Sequence, residues 1–180
     1  MRLVAISKTV LTSATNVVEI TSIPQTYQDL FVVIVAKSNS SGQAIHRLHM
    51  YMNNATTEYY YYANNRFNDG TSTGAGGNNQ AVSQSIMRIG ADTMTGAQND
   101  TGANPWSYHR LYLPSYRETD KMRTVQYRGS GGSINTGYQK VGWSFGTWAN
   151  TSAITSLKFE NESNVNNFIA GSRFEIYGIA

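Results

Sequence analysis

A chain of 180 residues has room for one domain with a sizeable core. Its 14 basic and 11 acidic residues give a net charge of +3 and are scattered without runs of one sign, which argues against nucleic acid as a partner. Cysteine is absent, so disulfides and thiolate metal sites are excluded, and no apolar run reaches the ~18 residues that a membrane-spanning helix needs.

Helix signals are poor throughout. Leu, Glu and Lys are sparse, β-branched residues and Tyr abound, and clusters of Asn, Gly and Ser recur at short intervals. That pattern reads as short strands with turns between them. The first strand is placed at Arg2 to Lys8. Its apolar stretch is too short for a signal peptide, so synthesis in a cytoplasm is expected. Strands follow at Val17 to Ser22 and at Leu30 to Lys37. The run Leu30-Phe31-Val32-Val33-Ile34-Val35-Ala36 is apolar on both faces, whereas the outer face of an antiparallel sandwich is normally polar. It is either a central strand covered on both sides or a strand with one face in a subunit contact.

Further strands are placed at Ala44 to Met52, Tyr59 to Ala63, Val82 to Ile89, Trp106 to Leu113, Met122 to Arg128, Gln139 to Trp148 and Ser156 to Glu160. Asn68 to Asn79 and Gly90 to Pro105 read as loops because they are rich in Gly, which frees φ, and the second closes on a proline. Gly129-Ser130-Gly131-Gly132-Ser133 reads as a hairpin tip. Asn167 to Ser172 reads as a tight turn. From Arg173 to Ile179, Phe174 and Ile176 alternate with Glu175 and Tyr177, the period of a half-buried strand. That strand must insert into a sheet built from earlier residues. The expected fold is an all-β, antiparallel, jelly-roll-like β-sandwich in one domain over residues 1–180. Its C-terminal strand lies inside the sheet or pairs near the N-terminal strands.

Catalytic and metal-binding patterns are weak. His46 and His49 are three apart on a strand and face opposite sides, so they cannot chelate one ion together, and His109 lies on another strand. No G-x-S-x-G elbow occurs, and Gly74-Ala75-Gly76-Gly77 lacks the Lys and helix of a phosphate loop. The carboxylate pairs Glu118/Asp120 and Glu160/Glu162 fall in polar stretches, where solvated charge is the ordinary reading. Asp29 with Asp69, or Asp92 with Asp100, offers at most a weak Ca²⁺ site. No cofactor is expected.

The aromatic residues are more telling. Tyr59, Tyr60, Tyr61 and Tyr62 cannot all be core, because alternate strand residues face opposite sides. Trp106, Tyr108, Arg110 and Tyr112 share one face of their strand, opposite His109, Leu111 and Leu113. With the leucines inside, the Trp/Tyr/Arg row is exposed and available to a protein or a sugar; the alternative is that Trp106 and Tyr112 fill the core and the leucine row packs under a loop. Trp, Tyr and Arg are the types enriched at interface hot spots.

Three blocks carry a resemblance. These are Ser22-Ile23-Pro24-Gln25-Thr26-Tyr27-Gln28-Asp29-Leu30, Ala153-Ile154-Thr155-Ser156-Leu157, and Asn167-Phe168-Ile169-Ala170-Gly171-Ser172 running on to Tyr177-Gly178-Ile179. Together with the Leu48-to-Asn54 strand and the Tyr/Asn-rich stretch Glu58 to Asn65, they make the chain resemble a group of small β-sandwich structural proteins of tailed bacteriophages. The resemblance implies a virion protein without enzymatic activity, made in the host cytoplasm. The expected role is a capsid decoration or cement protein bound to the shell; the alternative is a tail-fibre or receptor-binding domain that recognises host surface glycans. A stem or shaft ahead of the first strand is not expected, which favours decoration. The expected partners are capsid or tail proteins and further copies of the same chain, a trimer first. Tyr59 to Tyr62 or the Trp106 row is expected at a contact.

Overall fold

Period-two alternation dictates where each strand turns its apolar side, and two such sides facing each other make a sandwich. The computed structural model describes residues 2–40, 45–56, 60–69, 79–84, 86–96, 105–133, 138–161 and 166–180, with side chains undescribed at 45–46, 60–69, 79–84, 90–94, 133 and 138. The strands are β1 (Leu3–Val10), β2 (Val17–Ile20), β3 (Asp29–Ala36), β4 (Ile45–Met52), β5 (Tyr60–Asp69), β6 (Asn79–Gln84), β7 (Met87–Thr95), β8 (Ser107–Leu113), β9 (Arg123–Ser133), β10 (Tyr138–Trp148), β11 (Leu157–Asn161) and β12 (Arg173–Ile179). No helix occurs among the described residues. An eight-stranded sheet runs β1-β12-β3-β8-β9-β10-β5-β6 and a four-stranded sheet runs β2-β11-β4-β7. Every strand pair within both sheets is antiparallel. The all-β sandwich is thus as expected; a jelly-roll order does not follow from the eight-and-four division.

The C-terminal strand β12 is internal, with β1 on one side and β3 on the other. Its Phe174 and Ile176 face inward beside Leu30, Val32 and Ile34 of β3 and Leu111 and Leu113 of β8, all fully buried. Leu48, Met50 and Met52 of β4 and Leu157 and Phe159 of β11 belong to the same core from the smaller sheet. Phe174 links the layers: its ring lies 5.7 Å from Phe159 and 5.1 Å, edge-on, from Phe168. Phe168 is held by backbone bonds with Thr15 in both directions. The turn that follows needs Gly171, whose φ of +89° suits glycine. Gly178 is required for another reason. A Cβ there would come within 2.2 Å of the Tyr27 ring, so the early Tyr and the late Gly of the two end blocks fit against each other.

Asn53 and Asn54 take left-handed conformations with φ of +51° and +54°, which Asn tolerates better than other side chains. Asn53 then clamps the segment before β11. Its Oδ1 accepts from the backbone N–H groups of Thr155 at 2.7 Å and Ser156 at 3.1 Å, and its Nδ2 donates to the Ala153 carbonyl at 2.8 Å.

Four sequence expectations need correction. Gly90 to Pro105 is not all loop: residues 90–95 continue β7, which pairs with β4. Gly129 to Ser133 is not a hairpin tip but the second half of β9, in register with Tyr138 to Gly142 of β10. Backbone hydrogen bonds to a neighbouring strand outweigh the poor strand propensity of Gly there. Val82 to Ile89 is not one strand either; β6 ends at Gln84 in the large sheet and β7 starts at Met87 in the small one. The Asn68-to-Asn79 loop is shorter than expected, since Asn68 and Asp69 end β5 and Asn79 begins β6, and its middle lies outside the described residues.

Candidate functional site

The outer face of the eight-stranded sheet is unusual because of β10. Inward positions Gly142, Ser144 and Gly146 carry little to bury, while outward Val141, Trp143 and Phe145 are 56%, 39% and 53% exposed. The alternation is that of an amphipathic strand, but the large residues lie on the wet side. On β8 the pattern has the ordinary sense: Ser107, His109, Leu111 and Leu113 are buried, and Trp106, Tyr108 and Arg110 are exposed, with Tyr112 half-buried. The double-sided strand β3 lies between β12 and β8. Its Leu30, Val32, Ile34 and Ala36 are buried in the core, and its Phe31, Val33 and Val35 are half-buried on the outer face.

Register assembles these residues into rows across the sheet. Trp143 of β10 stands opposite Arg128 of β9, Arg128 opposite Arg110 of β8, and Arg110 opposite Val33 of β3. The adjacent row runs Phe145, Gln126, Tyr112, Phe31. Between them the surface dips into an open cleft of about 660 Å³ walled by Phe31, Tyr112, Val141, Trp143 and Phe145, with Arg110, Arg128 and Gln126 supplying its polar groups. That volume is in the range of small-ligand sites.

The cleft is backed by polar groups that hold it still. The Tyr112 hydroxyl donates to Asp29 at 2.7 Å, and the other oxygen of the same carboxylate accepts from the Ser115 backbone N–H at 2.8 Å. The accepted proton raises the Tyr112 phenol above its ordinary pKa and fixes its ring at the cleft wall. Beneath β8 and β9, His109 is fully buried with Nδ1 2.7 Å from the Tyr127 hydroxyl and Nε2 3.0 Å from Ser107 Oγ. Ser107 donates to the Ala36 carbonyl, so its oxygen accepts from His109 and the proton sits on Nε2. Nδ1 then accepts from Tyr127. Burial lowers the His109 pKa to about 3, so the ring is neutral in the folded protein at ordinary pH. Gly129 makes room for this chain: a Cβ there would meet the Tyr127 hydroxyl at 1.9 Å.

Of the residues singled out by sequence, Arg110 and Tyr112 line the cleft. Tyr108 is exposed on the same face, with the Arg110 guanidinium 5.3 Å from its ring centre. Trp106 lies at the end of the row, 41% exposed, with its ring edge against Gly171. Tyr60, Tyr61 and Tyr62 are in β5, in register with Trp148, Thr147 and Gly146 of β10; Tyr59 lies outside the described residues. The sequence reading passed over Trp143, Phe145, Gln126 and Arg128. The signal was present in Val141-Gly142-Trp143-Ser144-Phe145-Gly146, where small residues alternate with large ones and one set must face out.

The carboxylate pairs do not assemble a reaction centre. Glu118 and Asp120 lie in the turn after β8 beside Lys121, and that ion pair holds the exposed Glu118 carboxyl below its usual range. Glu160 is in β11, and Glu162 lies outside the described residues. Asp29 spends both carboxylate oxygens on Tyr112 and Ser115, and Asp69 ends β5. Among the described residues no group of three or more His, Asp or Glu side chains converges as a metal site would need.

No family model and no curated protein matches the chain. Among solved structures, it is similar to a crystal structure of scytalido-glutamic peptidase with a transition state analog inhibitor, at 11% identity over 92% of this chain and 75% of that one, with a TM-score of 0.28. A likeness at that score carries no argument about fold or chemistry.

Proposed function

We propose that this protein is a non-enzymatic structural component of a tailed-phage virion, needs no cofactor, and works by binding through the outer face of its eight-stranded sheet. The observation that carries the reading is that face itself: Trp143 and Phe145 of β10 and Tyr108 of β8, on either side of β9, are large and exposed. Large exposed aromatic side chains gathered on one sheet face around polar groups mark a binding site more often than singly scattered ones do. The resemblance of the two end blocks to virion β-sandwiches supplies the biological setting. In the first reading the face seats the protein on the capsid shell as a decoration or cement module, as a homotrimer. A second reading, a receptor-binding domain for host surface glycans, is favoured by the aromatic cleft, since a pyranose ring stacks its C–H face on an aromatic ring and turns its hydroxyls to planar polar groups.

Immunogold labelling of intact virions tests the setting. Label distributed over heads supports decoration, label confined to tail tips supports the second reading, and virions without label overturn the proposal. Turnover of a glycan or peptide that is lost on one acidic or His substitution would contradict the absence of catalysis.

A further inference from the structure

Arg110 and Arg128 are direct cross-strand neighbours on the outer face of β8 and β9. Like charges in that arrangement repel and destabilise a sheet. Neither guanidinium has an ion pair or hydrogen bond among the described residues; the Tyr108 ring is the one contact of Arg110. The nearest carboxylate in their row is Glu175, beyond Val33 on β12, which at sheet spacing is about 10 Å from Arg110. Glu175 is already engaged, by Lys8 at 3.7 Å, Arg173 at 3.5 Å and the Tyr177 hydroxyl at 2.8 Å. Two adjacent cations paired with no carboxylate among the described residues, the Asp29 carboxylate behind the cleft being held by Tyr112 and Ser115, suit an anion from outside. Arginine forks suit a carboxylate in two parallel bonds.

The surroundings say what carries that anion. Trp143 stands next to Arg128 in the same row, and Phe145 and Tyr112 flank Gln126 in the next. A pyranose stacked on Trp143 has its equatorial C5 carboxylate close to the mean plane of the ring, so the carboxylate extends sideways towards Arg128 one strand away, about 4.8 Å, and Arg110 one strand further. Gln126 offers a donor and an acceptor to ring hydroxyls. A nucleic-acid strand fits less well: it needs cations spaced along a track for successive phosphates, whereas here both charges stand at one point with Val141 and Phe145 on either side. A flat protein partner leaves the cleft unfilled.

We propose that the cleft binds an acidic polysaccharide of the hexuronate class, with the uronate carboxylate on Arg110 and Arg128 and the sugar ring on Trp143. This rests on the reading of the sheet face as a binding surface. Calorimetric titration of the full chain with short oligogalacturonates and oligomannuronates, beside their methyl esters and a homopyrimidine oligonucleotide, tests it. Both arginines are exposed and repel each other, so Arg110→Gln and Arg128→Gln should keep the wild-type melting temperature or raise it slightly. The expected result is saturable binding of at least one uronate, weakened about tenfold or more by its esterification and by either substitution, the range for loss of a charged hydrogen bond. Added salt should weaken uronate binding and leave any residual binding of the ester unchanged. Equal affinity for acid and ester, tighter binding of the oligonucleotide, or no uronate binding at all overturns the proposal. Attachment of Trp143→Ala to virions or host envelopes, measured in parallel, separates the two levels. Lost attachment without uronate binding removes the glycan and keeps the binding face, whereas unchanged attachment removes the face as well.

Discussion

His109 shows how one side chain ties fold stability to pH. Its pKa is about 3 when folded, against 6.5 for the free group, because burial penalises the imidazolium. Between those values the unfolded chain takes a proton that the folded chain refuses. The contribution of His109 to stability is therefore complete above about pH 6.5 and is lost as pH falls towards 3, at up to about 1.4 kcal/mol per pH unit. Thermal melts from pH 7 to pH 4 should show a steep fall in wild type and a shallower one in His109→Leu, which has no proton to take up. Parallel slopes would mean that another group governs acid unfolding. Gly129→Ala tests the same buried chain from the other strand. Its methyl group meets the Tyr127 hydroxyl, and a loss of about 1–3 kcal/mol in denaturant unfolding is expected for overpacking.

At the scale of elements, β8 and β10 make opposite use of one alternation. Leu111 is buried in β8, and Leu111→Ala should cost about 2–5 kcal/mol. Trp143 of β10 is larger but lies on the wet face, 39% exposed, so Trp143→Ala should cost about 1–2 kcal/mol, less than Leu111→Ala. Urea unfolding of the two variants checks the contrast, and a larger loss for Trp143→Ala would place that ring in the core. Deleting residues 173–180 removes an internal strand of the large sheet and strips β1 and β3 of their shared neighbour. The truncated chain should lose its cooperative melt. The end strands were legible because both the alternation and the bounding turn residues are local: β12 spans Arg173–Ile179 as the alternation indicates. Strands β7 and β9 were legible only in part, since the Gly residues of β9 are paired with β10 and β7 runs past Gly90 to pair with β4 again at Met94 and Thr95, and no local pattern shows a distant partner. The candidate site was half legible for a related reason. Arg110 and Tyr112 stood out beside leucines that had to be inside, but Arg128 and Trp143 join them only through cross-strand register.

For the whole molecule, the fold and the proposed binding face are largely separate. The core is closed by Phe159, Phe168 and Phe174 between the sheets, and the exposed Trp143 and Phe145 lie outside it. A homotrimer is proposed, and analytical ultracentrifugation of the wild type should show it; a monomer both alone and on the virion would end that part of the account. If Tyr108 is a contact in it, Tyr108→Ala should weaken association by about 2 kcal/mol or more and leave the melt intact. The most direct measurement of the central claim is the equilibrium attachment of Trp143→Ala and Phe145→Ala to virions stripped of this protein and to host envelopes, with the melting temperature of each variant recorded alongside. The account predicts attachment about tenfold weaker or worse for both variants, with melts within a few degrees of wild type. Wild-type attachment by both variants, or loss of attachment that merely follows loss of the fold, would contradict it.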